Sequence, residues 1–166
     1  MTRDEILALE AGHELNVLVA ETMGYQVFER YGYHYIATDE DAFEQGMTHG
    51  LFWEDFTHHD EMRLCLRLPR YSTSIRATWE VVEKMVGGNG CFELLKSFGG
   101  WWEASFVIVL SNDDERRKLG YGNWRYTGDG DTASVAVCRA ALLVKEGSNE
   151  PTDTDYSNAG TCRGDP

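Results

Sequence analysis

Hydrophobic positions along this chain fall into helical repeats and strand-like alternations that divide it into elements. The opening "MTRDEILALE" is charged and amphipathic, and Thr2 with Glu5 forms a T-x-x-E capping box, so a helix is predicted almost at once. Gly12 is expected to bend or interrupt it. Leu15, Leu18, Val19 and Thr22 then share one face, and Gly24 ends the element. The aromatic-rich stretch from Tyr25 to Ile36 predicts a strand, or a hairpin around Tyr31-Gly32-Tyr33. Residues 38–61 are acidic and irregular, and no element is read there. "MRLCLRL" is clearer: Met62, Leu64, Leu66 and Leu68 point one way and Arg63, Cys65 and Arg67 the other, a half-buried strand closed by Pro69.

A second helix is predicted from about Thr73, as its cap, to Met85, with Ile75, Trp79, Val82 and Val86 on one face and "GGNG" as its stop. "CFELLKSF" and "WWEASFVIVL" read as a hairpin around Gly99-Gly100. Trp102, Ala104, Phe106, Ile108 and Leu110 make one apolar face. Val107 and Val109 are apolar on the other, so part of this strand is expected to be covered on both sides. "WRYT" is a short last strand, and "GDGD" reads as a turn. Asp131 or Thr132 caps a third helix, "ASVAVCRAALLVKEG", with Val137, Ala141 and Val144 inward and Gly147 just past its end. Residues 147–166 carry almost no large apolar side chains and are expected to form a disordered tail behind a domain of residues 1–146. The pattern predicts an α+β fold, a layered α-β-α sandwich with a mainly antiparallel sheet and about three main helices.

Composition narrows the function classes. The chain has 166 residues, 28 acidic against 15 basic, for a formal charge of −13. That balance argues against non-specific binding along a nucleic-acid backbone and leaves open an acidic face that inhibits a host protein or imitates DNA. Cys65, Cys91, Cys138 and Cys162 show no C-x-x-C spacing, which suits a reducing cytosol. No signal peptide and no apolar run of membrane-spanning length is read, so a soluble intracellular protein is expected, without membrane partners.

One segment inverts the overall charge. Between Glu61 and Glu80 there is no acidic residue but there are four arginines, Arg63, Arg67, Arg70 and Arg76. Arg63 and Arg67 would share a strand face about 13 Å apart. Arg70, Tyr71, Ser72 and Thr73 lead into a helix N-terminus, whose unpaired N–H groups and positive dipole end attract anions. An arginine at Arg76 in the first helical turn opposes that dipole unless an anion lies between them. These seven residues are therefore the candidate ligand site, for a phosphate-bearing small molecule. Tyr71, with Trp53, Trp101 or Trp102, is placed to stack on a base.

Other chemistry is sparse. "WEDFTHHDE" gathers Asp55, His58, His59, Asp60 and Glu61, with His49 nearby, but without metal-ligand spacing, so a polar loop is the plainer reading and a metal-dependent hydrolase the last-ranked function. No nucleophile, base and oxyanion set assembles, and "GGNG" and "GDGD" match no phosphate loop or dinucleotide fingerprint. No catalytic residue, cofactor or metal is expected. Oligomeric state is open, and a homo-oligomer is compatible with the aromatic content.

Three segments resemble the phage ABA sandwich domain family: "MTRDEILALEAGHELNVLVAETMGY", "PRYSTSIRATWEVVEKM", and "WWEASFVIVL" leading into "DTASVAVCRAALL". The resemblance implies an α-β-α layered sandwich and a phage-encoded protein acting in the host bacterial cytoplasm. It brings no established activity and no site residues. Residues 38–61 and 111–123 depart from the family pattern. In that context the expected function is an anti-defence binding protein that sequesters a cyclic-nucleotide or ADP-ribose-type signal without catalysis.

Overall fold

A computed structural model describes residues 1–49, 65–87, 90–108 and 124–147. The helix expected at the start forms as two pieces, α1 (Arg3–Ala8) and α2 (His13–Thr22). Thr2 and Glu5 make the reciprocal capping box, and Gly12 is the N-cap of α2. Leu15 and Val19 are fully buried, so the predicted face of α2 is its core face.

Strands β1 (Gln26–Arg30) and β2 (Tyr33–Ala37) pair antiparallel from Gln26↔Ala37 to Arg30↔Tyr33. Their two-residue turn has Tyr31 at φ 55° and Gly32 at φ 74°, as the tightest hairpin turns demand. A helix, α3 (Glu40–His49), then occupies ground where no element was read. Asp39 starts it, its Oδ1 accepting the Ala42 N–H at 2.8 Å, and Phe43 of α3 stacks on Phe28 of β1 with ring centroids 4.4 Å apart. Gly46 allows the approach, since a methyl group there would run into the Cys65 side chain.

Of the segment read as a strand from Met62 to Leu68, the described part holds β3 (Leu66–Arg67), which pairs with β2. Both sides of this small sheet are packed. Ile36 and Leu66 enter the main core, and Tyr35, Ala37 and Cys65 form a second cluster with Ala42 and Phe43.

Helix α4 (Ile75–Val86) is capped by Ser74, not by Thr73: the Ser74 hydroxyl, one residue later, accepts the Ala77 N–H. A second antiparallel sheet follows, β4 (Gly90–Lys96), β5 (Trp102–Ile108) and β6 (Trp124–Gly130), in that spatial order. The β4–β5 connection is longer than a two-residue turn. The Ser97 N–H donates to the Trp101 carbonyl, leaving Phe98, Gly99 and Gly100 as the loop; the Gly100 N–H donates to the Ser97 carbonyl and Gly100 takes φ 87°, the pattern of a three-residue loop with a glycine bulge.

Strand β6 extends through Gly130, so "GDGD" contains the end of a strand and not merely a turn. Glycine, a poor strand former, is required at Gly128 because a Cβ would collide with the backbone of Ala136 and Ala140 in α5 (Ala133–Glu146). That helix, capped by Thr132 and closed by Gly147 at φ 59°, buries Val137, Cys138 and Ala141 against β5, β6, α2 and α4. Arg139 ties it to both ends of the fold, donating to the Leu9 carbonyl at 2.7 Å and the Asp129 carbonyl at 2.7 Å.

The fold is thus mixed α/β; among the described residues it has two three-stranded antiparallel sheets, where one mainly antiparallel sheet was expected, and five helices, where about three main ones were expected. Among the described residues no ladder joins the two sheets, and the helices divide between them, α5 packing on β5 and β6 and α2 on β1. Of the predicted tail, residues 147–166, Gly147 is the C-cap of α5 and the rest lies outside the described residues.

Candidate functional site

The β3–α4 connection is pinned to the start of α2 by a small polar network. The Ser72 N–H donates to Asn16 Oδ1 at 2.8 Å, and the Gly12 N–H donates to the Ser72 hydroxyl at 3.0 Å. Both Ser72 and Asn16 are buried, so these bonds are shielded from water and hold the two segments in register. The hairpin is attached on the other side, where the Leu68 N–H donates to the His34 carbonyl at 2.8 Å.

Three segments distant in sequence therefore meet around one cleft of about 350 Å³. Gly12, His13 and Asn16 come from α2, Gly32, Tyr33 and His34 from the hairpin, and Arg67, Leu68, Arg70 and Thr73 from β3 and the loop after it. The Arg67 guanidinium lies over the Tyr33 ring, 4.4 Å from its centroid, a cation–π contact that fixes the charge without neutralising it. The His13 and His34 rings are 4.0 Å apart. Glu29, the cross-strand partner of His34, lies 3.8 Å from His34 Nε2 on the same face of the hairpin, but it does not line the cleft. Among the described residues the lining holds two arginines and two histidines and no carboxylate. In a chain of charge −13 such a concavity is a local positive well, and over a Debye length of about 8–10 Å local charge outweighs the distant surface.

The residues singled out from sequence divide. Arg67, Arg70 and Thr73 share this cleft. Tyr71 does not reach it: its side chain is fully buried in the main core, so its ring presents no face for stacking, and its hydroxyl finds no hydrogen bond among the described residues. Burial, with the Glu80 charge second, pushes the Tyr71 phenol well above its ordinary range. Ser72 is likewise buried and holds the scaffold together. Arg76 lines a different, shallow cleft on α4 with Ile75, Trp79, Glu80 and Glu83, where two carboxylates make an unlike environment. Arg63 and Trp53 lie outside the described residues.

His13, His34 and Tyr33 were not read as site residues. No local motif marks them, since the chain separates them from Arg67 by dozens of residues. The hint available was Gly12, where the first helix was expected to bend or break, and the hairpin expected around Tyr31-Gly32-Tyr33.

No group of three or more His, Cys, Asp or Glu suited to a metal occurs among the described residues, and the His58–Glu61 cluster lies outside them. No helix among the described residues is long and apolar enough to cross a membrane.

Fold and cleft define a small mixed α/β domain with a basic hollow, lined by no carboxylate among the described residues, at the junction of its small sheet and two helices. The chain belongs to the phage ABA sandwich domain family, whose sequence model matches residues 18–142. No curated protein and no solved structure matches it.

Proposed function

We propose that this phage domain is a binding protein that captures a small phosphate-bearing, nucleotide-derived molecule, of the cyclic-nucleotide or ADP-ribose type, and in the host cytoplasm withholds it from a defence pathway. The observation that carries the reading is the cleft where Arg67 and Arg70 converge with His13 and His34 and whose described lining holds no carboxylate. Arginine forks suit phosphate oxygens, and charge-assisted hydrogen bonds are the stronger class. Thr73 adds a hydroxyl at the rim, and Tyr33 gives Arg67 a rigid seat. Sequestration requires affinity and no turnover, which suits a site whose lining provides cations and aromatic surface.

The test is calorimetric titration and thermal shift of the purified protein with cyclic mono- and dinucleotides and ADP-ribose derivatives. Binding of at least one, with the ligand recovered chemically intact after the protein is denatured, is the expected result. Silence across the panel removes the proposal, and recovery of a cleaved product replaces it with an enzymatic one.

A further inference from the structure

Tyr33 lines a second cleft as well, also about 350 Å³, formed with Arg30, Tyr31, Tyr35, Met47 and Thr48 between the hairpin and α3. Its character differs from that of the first. Arg30 Nη1 lies 3.0 and 3.1 Å from the two carboxylate oxygens of Glu44, so its charge is already matched. The walls are otherwise dominated by tyrosine rings and a methionine. A cleft of this kind suits a flat, uncharged group and not a phosphate.

Tyr31 is its most telling member. It is 81% exposed and sits at φ 55°, a left-handed conformation that asparagine or glycine adopts more cheaply at this turn position. Folding alone would favour a smaller residue there. The turn instead holds a large aromatic ring in solvent beside the guanidinium of Arg30, which lies 5.7 Å from its centroid.

We infer that this second cleft seats a nucleobase of the same ligand, stacked on Tyr31, while the phosphates reach past Tyr33 to Arg67 and Arg70. This rests on the nucleotide-binding reading of the first cleft and adds to it the seat of the base, so that a bare polyphosphate or a sugar phosphate fills only half of the site. The two functions are divided by charge, since the first cleft keeps its arginines unmatched by described carboxylates and the second does not.

The experiment titrates wild type, Tyr31→Asn and Tyr31→Trp with ADP-ribose, a cyclic dinucleotide and inorganic pyrophosphate, and records the melting temperature of each protein. Base stacking on an aromatic side chain contributes enough that wild type should bind the better nucleotide roughly 5- to 150-fold more tightly than pyrophosphate. Tyr31→Asn should lose that margin, leave pyrophosphate affinity unchanged and melt no lower than wild type, while Tyr31→Trp keeps the margin. Unchanged nucleotide affinity in Tyr31→Asn, or equal losses for nucleotide and pyrophosphate, overturns the base seat while leaving the anion site standing. Failure of wild type to bind any of the three overturns both.

Discussion

Tyr71 shows how sharply neighbouring residues can differ in role. Arg70 and Thr73 reach the cleft, while the ring between them turns inward to pack with the core. Truncation there creates a large cavity, so Tyr71→Ala is expected to cost about 3–5 kcal/mol in denaturant unfolding. Tyr71→Phe should stay within about 1 kcal/mol of wild type, because the hydroxyl makes no hydrogen bond among the described residues. A loss of stability in Tyr71→Phe comparable to that in Tyr71→Ala would show the hydroxyl, not the ring, to be what the core requires. Composition could not separate these roles: "RYSTS" reads as a polar loop, and nothing local reports that α2 supplies Asn16 to satisfy the backbone of Ser72.

Among the elements, those with strong local signals were legible. The Thr2–Glu5 box, the Tyr31-Gly32 turn and the Thr132 and Gly147 caps of α5 each specify their structure through contacts within a few residues. Helix α3 was not, because its charge and its central glycine obscure an apolar pair, Phe43 and Met47, whose partners on β1, on β2 and at Cys65 are distant in sequence. Strand β6 was read too short for a related reason, its glycines answering to α5 and not to strand propensity. The first turn of α4 gives a test at this scale. Ser74→Ala should cost about 1 kcal/mol, within the usual range for a lost N-cap, and Thr73→Ala markedly less. Chemical denaturation of both variants checks it, and a larger loss from Thr73→Ala would return the cap to the residue that the sequence pattern favoured.

For the molecule as a whole, packing and charge distribution make separate predictions. Burial pushes the Cys138 thiol up to about 12, and the Tyr71 phenol is raised by the same cause. Above about pH 9 the unfolded chain releases protons that the folded chain retains, so stability falls as pH rises. The contribution is fully present below that point and is lost on the way to about 12. The melting temperature should therefore decline above about pH 9, and the decline should be shallower in Cys138→Ala; identical slopes would contradict the assignment.

Charge distribution bears on function. The chain carries a formal charge of −13, while the candidate cleft collects Arg67 of β3 and Arg70 of the loop before α4, beside His13 of α2 and His34 of the hairpin. Part of this was visible in the sequence, as the acid-free arginine segment. Its convergence with His13 and His34 was not, since only the folded chain brings them together, and Arg76 proved to face elsewhere.

The most direct measurement compares calorimetric titrations of wild type, Arg67→Ala/Arg70→Ala and Arg76→Ala with the ADP-ribose and cyclic-nucleotide panel. The account predicts binding by wild type, a loss of at least about tenfold in the double variant, consistent with two charge-assisted contacts, and little change in Arg76→Ala. Equal affinity in wild type and the double variant, or no binding by wild type, would contradict it.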